Sequence, residues 1–300
     1  QDLNQADPLG LSDTERAIID EAVNAKKENN GKLIVMLNNA SAMEIEEIKN
    51  NTGVDAILEV GLPGGYGFYG VADVLSGEVN PSGHLADTYA VDNSSSPAAQ
   101  NYGNYEWTNA DSAYSINSEI VEAEGIYTGY KYYETRYADT VLGQGNASDK
   151  TGSSNGKAWN YEDEVSYPFG YGLTYGEARV IKTEFVKQPK RTEDLIIQVM
   201  VENVSARTIR DVVQVYIQNN DSSFAPPNPV LCGFAKSDFV ARKKTEVTIT
   251  IPKAAFQVVN QQGEKIWDSS SSTLFIGMGG VDERSQELTG QPVKKMQIVW

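Results

Sequence analysis

The 300-residue sequence holds a single cysteine and a single histidine. With Cys232 alone no internal disulfide can form, and zinc centres of four cysteines, or of two cysteines and two histidines, are excluded. Any serine–histidine–aspartate mechanism would have to run through His84. Positive charge is scarce as well: 25 Lys and Arg stand against 41 Asp and Glu, a formal net charge of -16. That balance argues against capture of nucleic acid or of an anionic membrane, since both need a basic face. No apolar run approaches the roughly 20 residues that span a bilayer, and residues 1–10 lack the basic and apolar regions of a signal peptide. A soluble protein is expected, cytoplasmic or secreted, with no metal and no other cofactor. The start without methionine suggests a processed, engineered or truncated terminus.

Apolar residues make up 40% of the chain, enough for sizeable cores, and the length suggests about two domains. Ser12 followed by Glu15 is a capping box, which predicts an amphipathic helix to Lys27 that stops at Asn29-Asn30-Gly31. Its apolar side would carry Ala17, Ile18, Ala22, Val23 and Ala25. Lys32 to Leu37 (KLIVML) reads as a strand buried on both faces of a parallel sheet. Ser41 and Glu44 repeat the capping pattern for a second helix, Ser41 to Lys49, with Met43, Ile45 and Ile48 facing inward. Val54 to Val60 is the next strand. Helix, strand, helix, strand predicts a doubly wound, mostly parallel layer.

Gly61 to Tyr89 is denser in signals. Gly65, Gly67 and Gly70 spell G-x-G-x-x-G, which at a helix N-terminus can cradle a pyrophosphate. Tyr66, Phe68 and Tyr69 crowd that turn, the helix expected after it (Val71 to Ser76) is short, and Asp87 is misplaced for a ribose contact. Glycines that let a helix lie close on a sheet explain the pattern better. Asn80-Pro81-Ser82-Gly83 is a turn leading into a short strand, Leu85 to Tyr89. Asp92 to Ser118 reads as a long loop around Tyr102, Tyr105 and Trp107. Glu124 to Tyr137 is ordered and rich in tyrosine, and Leu142 to Lys157 is a flexible excursion. Aromatic faces with hydroxyls suit sugar stacking, and Tyr66, Tyr69 and Trp107 are the candidate sugar contacts. Among Asp73, Glu78, Asp87, Glu106, Glu122 and Glu124, spacing selects no catalytic pair.

From Arg179 the period becomes two. Val180–Val186, Leu195–Glu202, Asp211–Gln218, Val230–Phe239, Thr245–Ile251 and Thr273–Met278, with a weaker Glu264–Trp267, predict an immunoglobulin-like sandwich. Cys232 falls inside one of these strands and is expected to be buried. Residues 291–300 read as a tail or linker.

In order, LIVMLNNASAMEIEEI, VDAILEVGLPGGYGFYGVADVLSGEVNPSGHLADTY, EGIYTGYKYYETRY and YPFGYGLTY resemble the later part of glycoside hydrolase family three, the β-glucosidase group. VVQVYIQ and PVLCGFAKSDF resemble that family's fibronectin type III domain. The resemblance implies residues 1–176 as the C-terminal portion of an α/β sandwich domain with a mostly parallel, incomplete sheet, then 177–290 as an all-β fibronectin-like sandwich. It also implies retaining hydrolysis of non-reducing-end β-linked sugars by an aspartate nucleophile on a (β/α)8 barrel and a glutamate acid/base on the sandwich. The barrel is absent from these 300 residues, and the glutamate is expected just before Gln1. The isolated chain is therefore expected to be catalytically incomplete, with the missing barrel and sandwich strands supplied by another polypeptide or chain segment. Some family members place the barrel after the fibronectin-like domain, which leaves both sides of this segment open for it. His84 stands where the family usually has lysine, a change expected to affect a surface turn. The ligand expected for the whole assembly is a small β-glucoside or oligosaccharide. A non-catalytic carbohydrate-binding or scaffolding module is the alternative, ahead of a nucleotide-binding domain.

Overall fold

The structure, a computed structural model, describes residues 9–103, 105–108, 118–140, 143 and 147–300. The chain divides into two compact units, residues 1–62 with 88–167 and residues 63–87 with 168–300. In the first, helix α1 (Asp13–Asn29) starts as the capping box predicts: Ser12 Oγ accepts from Glu15 N, and the Glu15 carboxylate accepts from Ser12 N at 2.7 Å. It ends at Asn30, whose φ of 49° is the left-handed cap. Strand β1 (Ile34–Leu37), helix α2 (Glu46–Lys49) and strand β2 (Ala56–Glu59) follow, and β1 pairs with β2 in parallel, Ile34 opposite Ala56. Met43, Ile45 and Ile48 are buried as expected, but α2 lacks its capping box. Glu44 Oε1 instead accepts from Asn93 N at 2.5 Å.

The apolar pattern of α1 and β1 is only half used. Val23 is the one buried residue of α1, whereas Ile18, Ile34 and Met36 are 63%, 41% and 46% exposed. The double-sided burial read into KLIVML is thus corrected: one face of β1 is uncovered.

Helix α3 (Gly64–Ser76) is twice the expected length and holds Gly65, Gly67 and Gly70 within its own turns, with Gly67 N donating to Pro63 O. It buries no residue. A Cβ at Gly65 or Gly70 would meet no described atom within 4 Å, whereas one at Gly67 would come within 2.6 Å of Pro63 Cβ. After it come β3 (Tyr89–Ala90), α4 (Pro97–Gln100), β4 (Tyr105–Glu106), β5 (Ser118–Glu119), α5 (Tyr130–Thr140), α6 (Tyr161–Glu164) and β6 (Val165–Tyr167). β3 pairs with β6, and β4 with β5, both antiparallel. Among the described residues the mostly parallel sheet narrows to the β1–β2 pair. The expected loops at 92–118 and 142–157 fall partly outside the described residues; the described part of the first contains α4, β4 and β5.

The second unit follows the two-residue period closely. Strands β7 (Ala178–Phe185), β8 (Leu195–Asn203), β9 (Ile209–Asn219), β10 (Val230–Phe239) and β11 (Lys244–Ile251) are followed by the short β12 (Val258–Val259) and β13 (Lys265–Ile266), then β14 (Ser271–Gly277), α7 (Glu283–Thr289) and β15 (Lys294–Val299). They build antiparallel sheets of order β10-β9-β14-β15 and β11-β8-β7. Along β8, Leu195, Ile197, Val199 and Val201 point into the core while the residues between them face outward. Residues 291–300 are not a tail or linker. Met296 and Ile298 are buried on β15, and Trp300 meets Phe256 and Trp267 edge-on at 4.9 and 5.2 Å. Burial of Met296 and Ile298, with Trp300 half-buried just beyond the strand, holds this last strand on β14. Among the described residues, no helix is long and apolar enough to cross a membrane.

Candidate functional site

Tyr66 and Tyr69 sit one turn apart on α3, so the helix brings both onto one face, where they are 87% and 73% exposed. Trp107, just after β4 in the other unit, is 52% exposed. These candidate sugar contacts do not line a described cavity.

The cavity that does carry side-chain chemistry belongs to α5. A cleft of about 220 Å³ is lined by Pro97, Glu124, Tyr127, Tyr132, Thr135 and Arg136, with Ala123 at its edge. Tyr132 and Arg136 are one turn apart at i, i+4, which places them on the same helix face. Beneath them Tyr133, Trp159, Tyr161, Val165 and Ala90 form a small core in which Trp159 and Tyr161 meet edge-on at 6.0 Å. Arg136 is 3% exposed, and its guanidinium lies 5.7 Å from the Trp159 ring centre. One terminal nitrogen donates to Asp139 Oδ2 at 3.2 Å and the other to Ser148 O at 3.0 Å, while Nε has no partner among the described residues. Glu164 is fully buried; its Oε1 accepts from Ser154 N at 2.9 Å, and Oε2 has no described partner, nor does Trp159 Nε1. Burial pushes the Tyr132 phenol up, with the Arg136 charge opposing and the Glu164 charge adding to that shift.

Sequence reasoning marked the segment EGIYTGYKYYETRY but not Arg136, Trp159 or Glu164. The usable signal was the i, i+4 spacing of Tyr132 and Arg136, which becomes a signal only once the segment is known to be helical. Of the six acidic residues weighed, Glu124 alone lines the cleft. Among the described residues no group of three or more His, Cys, Asp or Glu side chains is placed to hold a metal ion.

His84 is not at a surface turn. Its side chain is 10% exposed, with Nδ1 2.7 Å from Gly170 O and Nε2 2.9 Å from Asp211 Oδ1. It ties the Asn80–Gly83 turn to β9 and to the YPFGYG segment, a structural position in the second unit.

Residues 6–175 match the family model of the glycosyl hydrolase family 3 C-terminal domain, and residues 211–279 match that of a fibronectin type III-like domain. The chain belongs to glycosyl hydrolase family 3. The family 3 match covers the whole of α1 to β6, so the tyrosine cleft is part of the C-terminal domain. Among curated family 3 relatives, the thermostable beta-glucosidase B of Acetivibrio thermocellus is 29% identical over 259 residues, 86% of this chain and 29% of its own length. An exo-alpha-(1->6)-L-arabinopyranosidase of Bifidobacterium longum is 27% identical over 83% of this chain and 27% of its own. The solved beta-glucosidase of Listeria innocua in complex with glucose has the same fold over 97% of the chain and 33% of its own, with a TM-score of 0.64 at 23% identity. The chain thus spans about a third or less of the proteins it matches.

Proposed function

We propose that the chain is the C-terminal part of a retaining β-glucosidase-like hydrolase acting on non-reducing-end β-linked sugars, and that by itself it is catalytically incomplete. The observation that carries this reading is the family 3 match across residues 6–175 in a chain whose relatives, three times its length, are named as glycosidases. The uncovered apolar side chains support the second half. Ile18, Ile34 and Met36 in one unit, and a helix α3 without a buried residue in the other, are surfaces that a complete fold covers. A parallel sheet of two strands leaves two unpaired edges, and purely parallel sheets occur with both faces covered. The remaining sandwich strands and the barrel come from another polypeptide or chain segment. The ligand of the assembled protein is a small β-glucoside or oligosaccharide; the arabinopyranosidase among the relatives leaves the sugar itself open.

Assaying the purified 300-residue chain on an aryl β-glucoside tests the reading, with no turnover above a heat-killed control expected. Clear turnover would overturn it.

A further inference from the structure

We propose that α3 is a conditional helix: residues 64–70 wind only while the face carrying Tyr66 and Tyr69 is covered, and in the free chain they are mostly unwound, whereas residues 71–76 stay helical. The start of α3 supplies the first argument. Pro63 at its N-cap offers no side-chain acceptor and its first turn holds no acidic residue, so neither a cap nor a charge supports this end. Helix α1 has both, in Ser12 with Glu15 and an acidic first turn. Gly64, the first residue of α3, has a φ of 62°, outside the right-handed helical region.

Composition and burial work in the same direction. Gly65, Gly67 and Gly70 fall within the first two turns, and each glycine in a helix interior lowers the helix equilibrium about fivefold against alanine. At 13 residues α3 is already at the length where a helix without packing is marginal in water. A covered apolar face is what ordinarily makes up that deficit. Here α3 buries no residue, and the rings of Tyr66, Phe68 and Tyr69 are all exposed.

The other end is fastened within its own unit. Tyr175 Oη donates to Val74 O at 2.6 Å, and Arg207 donates to Gly77 O while its guanidinium lies 5.2 Å from the Tyr175 ring centre. A cation at a helix C-terminus also opposes the helix dipole. Val79 N donates to Asp73 O at 3.0 Å, and Asn80 Oδ1 accepts from Tyr175 N at 2.9 Å. The last turns are therefore held whether or not the first are covered. The identity of the cover rests on the function proposed above: it is the remaining part of the hydrolase, because this chain spans about a third or less of its relatives. Burying the three rings then offsets the cost of ordering the glycine-rich turns.

Hydrogen exchange, read amide by amide in the 300-residue chain, tests this. The Phe68 and Tyr69 amides should exchange within about threefold of their unstructured rates, and the Ser76 and Gly77 amides should be at least about tenfold better protected. Gly65→Ala with Gly70→Ala, at positions where a Cβ meets nothing within 4 Å, should raise the wound-to-unwound ratio at Phe68 and Tyr69 about 20-fold. Tyr175→Phe, which removes the bond to Val74 O, should speed Ser76 and Gly77 about fivefold and leave Phe68 and Tyr69 unchanged. In the polypeptide that carries the rest of the hydrolase, Phe68 and Tyr69 should be protected at least about 100-fold. The proposal is overturned if Phe68 and Tyr69 are as protected as Ser76 and Gly77 in the free chain, if the double alanine variant exchanges as wild type does, or if the longer polypeptide leaves both amides fast. Exchange is read without substrate, so turnover by the free chain, which would overturn the hydrolase reading, leaves the free-chain measurements decisive, and a helix already wound in the free chain leaves the hydrolase reading standing.

Discussion

His84 Nε2 lies 2.9 Å from Asp211 Oδ1, and the opposite ring nitrogen lies 2.7 Å from the carbonyl oxygen of Gly170. Both neighbours are acceptors, and the ring sits between them. Asp211 also accepts from Val212 N at 2.8 Å, and its side chain is 9% exposed. The lone histidine of the sequence is therefore a buried clamp within the second unit, joining a proline turn, a glycine-rich segment and a central strand of the β-sandwich.

Removing the ring leaves a buried carboxylate with one partner fewer. His84→Ala is expected to cost about 1–3 kcal/mol, the penalty for leaving a buried acceptor short of its hydrogen-bond partner. His84→Lys restores a charged donor to Asp211 and should recover most of that loss, and Asp211→Asn, which keeps an acceptor, should cost only about 1 kcal/mol. Urea unfolding followed by tryptophan fluorescence gives all three values. Equal losses in all three would show that charge at this clamp contributes nothing.

Gly170 is fixed by geometry as well as by this clamp. Its φ is 77°, and a Cβ would come within 2.8 Å of Gln214 Oε1, 2.9 Å of Tyr216 Oη and 3.1 Å of Gly280 N. Tyr216 donates to Gln214 at 2.8 Å and both are buried, so neither can step aside. Gly170→Ala should cost about 2–5 kcal/mol, backbone strain and overpacking together. Gly263 has φ 80° with open space around it, and Gly263→Ala should cost about 1–2 kcal/mol from strain alone. Thermal unfolding of the pair separates crowding from strain.

The β-sandwich was legible because apolar residues recur there with a period near two, clearest in the burial of β8 and β11: the range read for β10 is the range observed, and β8 and β11 differ from expectation by a residue at one end. β15 was missed because the preceding Gly290 and Pro292 look like a chain leaving the fold, although Met296, Ile298 and Trp300 carry the same period. In the first unit α1, β1 and β2 were legible, the start of α2 was not, and neither was the burial. Ile18 falls on the apolar side of its helix, and Ile34 and Met36 fall in a continuous apolar run, but such patterns mark apolar residues without saying what covers them. The cleft was illegible for another reason. Arg136, Trp159 and Glu164 meet through tertiary packing, and neither charge nor spacing marks which polar residues of a tyrosine-rich segment end up buried.

Cys232, expected to be buried, is half-buried against the sandwich core and gives the next test. Burial pushes its thiol up to about 12, and its Sγ donates to Val215 O at 3.3 Å. The thiolate is the reactive form. In the folded protein at neutral pH, labelling by a disulfide reagent should be at least about 100-fold slower than for a free thiol, and it should reach one equivalent per chain in denaturant. Fast labelling without denaturant would mean that β10 opens locally.

Acid should act first on the unit containing α1 and β1. Asp55 is held well below the usual carboxylate range, foremost by Lys26 at 2.6 Å, then by Leu33 N at 2.8 Å and by Lys32 at 3.0 Å. A carboxyl with a depressed folded pKa contributes stability that is fully present above its unfolded value near 4 and is lost as pH falls through the folded one. Unfolding of this unit should therefore become easier as pH drops below about 4, and Asp55→Asn should remove that part of the acid dependence while lowering stability at neutral pH. Salt distinguishes the causes. The two lysine contacts are partly exposed and weaken with ionic strength, whereas the Leu33 N–H bond does not, so raising salt should shrink the acid sensitivity without abolishing it. Hydrogen exchange of the β1 and α1 amides across pH and salt reads both effects, and an Asp55→Asn profile identical to wild type would remove Asp55 from the account.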